Sequence, residues 1–255
     1  MRPSGLLTLL TDFGTRDPFV GVMKGVVLAR FPGARMIDLA HELPPQDVAA
    51  GAFWLARAFP WFPPGTVHVA VVDPGVGTSR AALVACAEGH TFVGPDNGLL
   101  AEAASADPDA TYFRVDLDSL GLTPQGSTFH GRDVFAPLGA LLASGALSPE
   151  EVGPPAMTMV ESPVPRPLAF AGGTVGVVVV VDHFGNLLTN LAACPAREVL
   201  VAGRPARVVT TYGEGEPGEP IALVNAWGFW EIAVHGGNAA RSLGASGGAV
   251  VTVRA

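Results

Sequence analysis

Two different periodicities divide this chain. Over the first two-thirds, short apolar runs alternate with segments of helical spacing. "LLTLLTDF" reads as a strand, and residues 18–31 carry Phe19, Val22, Val26, Val27 and Phe31 at helical intervals. "RMIDLAH" reads as a strand, 46–59 as a helix and "TVHVAVVD" as a strand. "AALVACA" and "TFVGPDN" follow as strands, with a short helix expected from Gly98. A further helix follows His130 and places Phe135, Leu138, Leu141 and Leu142 on one face. Such alternation specifies an α/β fold with a central, mostly parallel sheet flanked by helices. In sheets of this kind ligands sit beyond the carboxyl ends of the strands. Asp12, Asp38, Asp73 and Asp96 all stand at or just past such ends.

From Gly153 to Gly173 the chain is rich in proline and glycine and has no periodicity, which reads as a linker. Helical spacing then fades. "TVGVVVVVD", "EVLVAG", "RPARVVTTY", "PIALVN", "GFWEIAV" and "AVVTVRA" read as short strands between glycine turns, a small all-β barrel or sandwich. The expected organisation is an α/β domain over 1–160, a linker over 161–173 and a β domain over 174–255. Hydrophobic residues make up 49% of the 255, enough for a sizeable core in each part and too many for a disordered chain. A formal charge of -8 without a basic stripe argues against nucleic acid and anionic membrane surfaces as partners. The longest apolar run, "VGVVVVV", falls far short of the ~20 residues of a membrane span. "MRPSGLLTLLTDFG" lacks the layout of a signal peptide. Cys86 and Cys194 stand singly in apolar surroundings and read as buried thiols of a reducing compartment. A cytoplasmic location is expected.

Four stretches carry candidate chemistry. In "LLTDFGTRDPF", Asp12 ends a strand and Asp17 follows five residues on. A carboxylate at such a junction accepts two hydroxyl hydrogen bonds from a ribose, or caps the next helix. In "DPGVGTSR" the glycines allow a tight backbone path that brings Arg80 back towards Asp73. The pair reads either as a capped turn with a solvated arginine or as an ion pair in a cleft. In "STFHGRDVFAP", His130 stands at a helix start, where the helix dipole lowers its pKa and favours a neutral imidazole. In "VDHFGNLLTN", Phe184 can stack on a flat ring and the Asn186 amide can read a base edge, unless the stretch is an ordinary Asx-glycine turn. Asp182 and His183 are adjacent on a strand and point to opposite faces, a poor metal pair. No GxGxxG or GxxxxGK[ST] fingerprint follows the first strand.

"TDFG…D", "DPGVGT…R", "PDNGLL", "TFHGRD" and "DHFGN…TN" occur in one order and spacing. In this the chain resembles the S-adenosylmethionine (SAM) hydroxide adenosyltransferases, relatives of the SAM-dependent fluorinase and chlorinase, over nearly its whole length. The resemblance implies conversion of SAM and water to adenosine and L-methionine, without cofactor or metal. It assigns Asp12 to the ribose hydroxyls, and Asp17 and Asp182 to the methionine amine. Phe184 and Tyr212 match rings flanking adenine, and Asn186 the amide on its edge. Asp73, Arg80 and His130 match an Asp–Arg–His triad that prepares the water: Arg80 stabilising hydroxide, Asp73 fixing the guanidinium, His130 taking the proton. The resemblance further implies a homotrimer with active sites shared between subunits.

Against halogenation, the related halogenases carry an uncharged aromatic at the position of Asp73 and a hydroxyl residue at that of Val76. A carboxylate beside the nucleophile would repel a halide. The insert typical of the fluorinase is absent between Arg80 and Phe92. Two departures touch the substrate pocket: "NAWGF" at 225–229 lacks the Ser-Arg pair offered to the substrate carboxylate, and Gln46 replaces an aromatic beside the ribose. The alternative outside enzymology is a non-catalytic sensor of adenosine or SAM, which would have no need of the three triad residues together.

Overall fold

The computed structural model describes residues 2–105 and 107–255. The chain divides into two compact units, one ending at Pro163 and the other spanning Val164–Ala255. The first is built on seven strands: β1 (Leu6–Thr11), β2 (Arg35–Ala40), β3 (Val67–Val71), β4 (Ala82–Ala87), β5 (His90–Pro95), β6 (Thr111–Arg114) and β7 (Pro155–Ala156). Their order is β2-β1-β3-β5-β4-β6-β7. Every residue of β1 and β3 is buried, as the middle of a sheet covered on both faces requires. Side chains alternate between those faces. Val67, Val69 and Val71 pack with Met23 and Val27 of α1 (Phe19–Arg30) and Leu138 of α4 (Ala136–Ser144). Ala70 and Val72 pack instead with Leu55 of α2 (Val48–Ala58) and with Ala103 and Ala104 of α3 (Ala101–Ala104).

The sheet is only half parallel. β2–β1, β1–β3 and β3–β5 run parallel, whereas β5–β4, β4–β6 and β6–β7 run antiparallel. The cause is a two-residue connection. Glu88 and Gly89 both have positive φ, 51° and 80°, the mark of a type I′ hairpin turn. A parallel neighbour would need a crossover of a dozen residues or more.

One polar chain crosses this core. Thr8 Oγ1 lies 2.8 Å from His68 Nδ1, and His68 Nε2 lies 3.1 Å from His90 Nδ1. Burial among Phe59 and Phe92 drives the His68 pKa down to about 3, with His90 adding to the effect, so both rings stay neutral.

The second unit contains β8 (Leu168–Phe170), β9 (Gly173–Val181), β10 (Leu187–Ala192), β11 (Glu198–Val201), β12 (Arg204–Val208), β13 (Pro220–Val224), β14 (Phe229–Val234) and β15 (Val250–Arg254), with a short helix α5 (Ala239–Leu243). The order is β10-β14-β13-β12-β11-β15-β9-β8, and β10 pairs with β9 as well, which closes a β-barrel. Among the described residues, closure leaves only the short β8 at an edge, where a sandwich would leave several. Val178, Leu187, Val199, Ile232 and Val253 fill its core. β7 and β8 fall within the proline- and glycine-rich stretch and pair at sheet edges with β6 and β9; edges tolerate proline because its missing N–H leaves no ladder bond unmade. Cys86 is half-buried, but Cys194 is exposed, contrary to the sequence reading, because it lies on the loop after β10.

Candidate active site

β1, β3 and β5 lie side by side and parallel, so their carboxyl ends share one edge of the sheet. That edge collects Asp12, Asp73 and the pair Asp96–Asn97, just past each strand. Asp38 does not join them. It lies inside β2, where it accepts from Lys24 Nζ at 2.6 Å and sits 3.0 Å from the Nε2 of buried His41.

Asp73, Arg80 and His130 come together. Arg80 Nε donates to Asp73 Oδ1 at 2.9 Å, and its Nη2 donates to Asp73 Oδ2, a two-point clamp. The same Nη2 lies 3.0 Å from His130 Nδ1. The two side chains of the ion pair are 4% and 11% exposed for Asp73 and Arg80. The guanidinium carbon stands 5.2 Å from the centre of the Phe135 ring. A guanidinium offers only donors, so His130 Nδ1 accepts and the neutral imidazole carries its proton on Nε2. A proton taken at Nδ1 would cost the contact with Arg80. Burial, then the adjacent Arg80 charge, lowers the His130 pKa, against opposing pulls from Asp73 and Asp133.

Local structure explains this convergence. The turn after β3 is closed by Val76 N–H to Asp73 O at 3.2 Å and by Thr78 Oγ1 to Gly75 O at 2.7 Å. Gly77 has a φ of 77°, and a Cβ there would strike the carbonyl oxygen of Ser127. This close approach seats the turn against the loop that delivers His130. His130 itself begins a π-helical turn, Gly131–Phe135, that runs into α4. Phe13, Phe19 and Phe129 form an edge-to-face trio with centroids 5.3–6.0 Å apart, tying the loop after β1 to the residue before His130.

Sequence reasoning found "PDNGLL" but gave it no task. Asn97 Nδ2 donates to Val72 O at 2.9 Å, and Asp96 N–H to Ala81 O at 3.0 Å. One bond holds the residue before Asp73, the other the residue after Arg80. Asp96 Oδ1 also accepts from Val160 N–H at 2.8 Å.

Asp12 and Asp17 share the loop between β1 and α1. Asp12 Oδ2 accepts from the Gln46 N–H at 2.7 Å. Gly14 N–H donates to His41 O at 2.7 Å, and Thr15 donates to Glu42 Oε1 from both its N–H and its hydroxyl, at 2.8 and 2.6 Å. Asp17 is exposed.

In the second unit, Asp182, Phe184, Asn186 and Tyr212 line one cavity of about 490 Å³. Asp182 organises the β9–β10 loop. Its Oδ1 accepts from the N–H groups of Phe184 at 2.9 Å and Asn186 at 2.8 Å, and its Oδ2 accepts from Asn186 Nδ2 at 3.1 Å. That orientation leaves the Asn186 carbonyl as an acceptor. Phe184 is 73% exposed, a flat face held in water. Tyr212 donates its hydroxyl to Glu231 Oε1 at 2.6 Å. Glu231 was missed in the sequence because "FWEIAV" reads as an ordinary strand; it is 3% exposed, and burial raises its pKa, with Asp182 adding to the shift. Asn225 lines the same cavity and accepts the Trp227 and Phe229 N–H groups at 3.0 and 3.2 Å.

Two family models cover most of the chain: the SAM hydroxide adenosyltransferase N-terminal domain over residues 7–153 and its C-terminal domain over 176–252. The chain belongs to the SAM hydroxide adenosyltransferase family. Within it, the chain is 44% identical to an (R)-S-adenosyl-L-methionine hydrolase of Thermus thermophilus, with 96% of each chain covered, and 42% identical to one of Salinispora tropica, with 97% of each covered. A fluorinase of Actinoplanes is more distant, at 26% identity over 97% of each chain. An uncharacterised conserved protein from Thermotoga maritima has a similar solved structure, with a TM-score of 0.89, 34% identity and coverage of 98% of this chain and 100% of that one. Among the described residues of this adenosyltransferase-family chain, no group of three or more His, Cys, Asp or Glu is placed to hold a metal ion, and no helix is long and apolar enough to cross a membrane.

Proposed function

We propose that the chain hydrolyses S-adenosyl-L-methionine to adenosine and L-methionine, by displacement at the ribose C5′. The observation that carries this reading is the Arg80 guanidinium, locked by Asp73 and touching His130, at the carboxyl edge of the parallel strands. The leaving group is a neutral thioether departing from a sulfonium, so it needs no acid. The weak partner is water, with a pKa of ~15.7 in bulk. A guanidinium beside the nucleophile favours its hydroxide form, and the Nε2–H of His130 supplies a second donor to the same oxygen. The C5′–O bond forms as the C5′–S bond breaks. The electron pair stays on sulfur, and the proton lost by water leaves to solvent and not, as the sequence suggested, to His130, whose Nδ1 is engaged by Arg80 and whose Nε2 already carries a proton. Asp73 keeps the fork from rotating and repels competing halides.

In this reading Asp12 takes the ribose hydroxyls, Phe184 and Tyr212 flank the adenine, and Asn186 reads its edge. Asp17 and the remaining lone pair on Asp182 Oδ2 face the methionine amine. No cofactor is called for. The assembly is a homotrimer in which adjacent copies complete each site. Co-refolding Asp73→Ala with Asn186→Ala, assayed at SAM well below KM, tests it: mixed trimers exceed the average of the two parents if copies share sites and match it if they do not.

The direct test is incubation with SAM in water enriched in oxygen-18. Adenosine labelled at its 5′-oxygen, released with methionine, is the expected result. A 5′-halogenated nucleoside in halide buffer, or tight SAM binding without turnover, would overturn the reading.

A further inference from the structure

Gln46 holds a backbone conformation that glutamine rarely adopts, with φ 65°. Asp47 N–H donates to Pro44 O at 3.1 Å, closing a four-residue turn with Pro45 second and Gln46 third. A positive φ in third place marks a type II turn, where glycine or asparagine is the ordinary choice. Such strain persists where the surroundings over-determine it, and it gathers at ligand clamps. Here it sends the Gln46 N–H to Asp12 Oδ2 at 2.7 Å. The frame around the turn is firm on both sides. Gly14 and Thr15 are bonded to His41 and Glu42, and the Asp47 side chain caps α2 by accepting from Ala50 N–H at 2.9 Å.

From this we infer that Gln46 is the positioning residue of the diol site. Its left-handed backbone pins one oxygen of the Asp12 carboxylate, so that the group meets a vicinal diol already oriented. An aspartate on a loop is otherwise free about two torsions, and freezing them on binding weakens affinity. A single N–H on Oδ2 fixes the carboxylate plane and leaves Oδ1, together with the second lone pair of Oδ2, for two hydroxyl donors. The contact to Asp12 is made by the backbone N–H, and the side chain is exposed. The inference rests on the proposed reading of Asp12 as the ribose carboxylate.

The test compares nucleosides with and without the diol. Gln46→Val penalises positive φ through its β-branch and turns the N–H away, whereas Gln46→Gly keeps the turn. Calorimetric titration of the full-length protein with adenosine and with 2′,3′-dideoxyadenosine separates the effects. Gln46→Val is expected to weaken adenosine by about tenfold, the worth of one charge-assisted hydrogen bond, and to leave the dideoxy compound within about twofold. Gln46→Gly should bind both as wild type does. With SAM, Gln46→Val should raise KM and spare kcat. Gln46→Ala runs beside it and should show the same selectivity at about threefold, so the inference remains testable if Gln46→Val fails to fold. Equal loss for both nucleosides, no loss for either, or a loss in Gln46→Gly matching that in Gln46→Val would overturn the positioning role. A wild-type protein that binds adenosine no better than its dideoxy analogue would instead overturn the diol reading of Asp12 itself.

Discussion

The two units treat charge in opposite ways. In the first, three charged groups of the site already have partners: Asp73 with Arg80, Arg80 with His130, Asp12 with the Gln46 N–H. In the second, the cavity holds aromatic faces in water and keeps two acids, Asp182 and Glu231, with no lysine or arginine in its lining. The difference suits the two tasks proposed above. Stabilising a nucleophile requires charge fixed before the reaction, because reorganising dipoles during it is costly. Recognising a flat, weakly polar ring requires apolar surface that the ligand itself covers.

The largest effects are expected in the first unit. Arg80→Ala should lower kcat by about 10³-fold with KM changed only a few-fold, and Asp73→Ala and His130→Ala by about 10²-fold each. The triple variant should fall far short of the product of the three losses, because the residues act as one unit. Steady-state kinetics with SAM checks this; a rise in KM with kcat intact would break the assignment of chemistry to this unit. Protonation of His130 would put a second donor against Arg80, so kcat should fall as pH drops through the lowered His130 pKa, which lies below the ordinary histidine value of 6.5.

Next comes acid sensitivity in the first unit. His68 has a folded pKa of about 3 against an ordinary 6.5. Between those values the unfolded chain binds more protons than the folded one, so stability falls as pH falls through that window. The loss reaches about 4 kcal/mol at the acid end, at roughly 1.4 kcal/mol per pKa unit. Hydrogen exchange should show β3 losing protection on acidification before β14 does.

Smaller changes are expected in the second unit. Phe184→Ala and Asn186→Ala should each weaken adenosine by about tenfold, without loss of kcat at saturation. The melting temperature of Phe184→Ala should stay unchanged, since the ring is exposed. Smallest is a pH trend of the opposite sign. Glu231 keeps its proton above the ordinary 4.5 in the folded state. The stability this adds is present below 4.5 and is lost as pH rises through the folded value. Glu231→Gln should flatten that trend, read as a melting temperature a few degrees less pH-dependent. A steeper trend in the variant would show that the carboxylate, and not the acid, is the form the fold prefers.

The sequence by itself determined the elements and the site's parts list. Strand and helix periods in the first 142 residues, and a run of strands after Gly173, are local patterns, and the structure contains both, with α5 as a short helix that the pattern did not show. The acids at the ends of β1, β3 and β5 were legible because a strand's last residue is marked by where its apolar run stops. Only the tertiary structure decided what depends on distant partners. The direction of β4 turned on two positive φ angles at Glu88 and Gly89, which composition does not display. The protonated nitrogen of His130 was set by a guanidinium fifty positions away in sequence. Asn97 read as the end of a strand until its amide was found on Val72, and Glu231 as a strand residue until Tyr212 was found on its carboxylate. Gln46 stood out in the sequence only as a replaced aromatic; its positioning role was hidden, because it rests on a backbone N–H, which every residue except proline possesses. Local propensity follows from a residue's own covalent geometry; a hydrogen-bond partner, a protonation state or a strained torsion follows from what the rest of the fold brings against it.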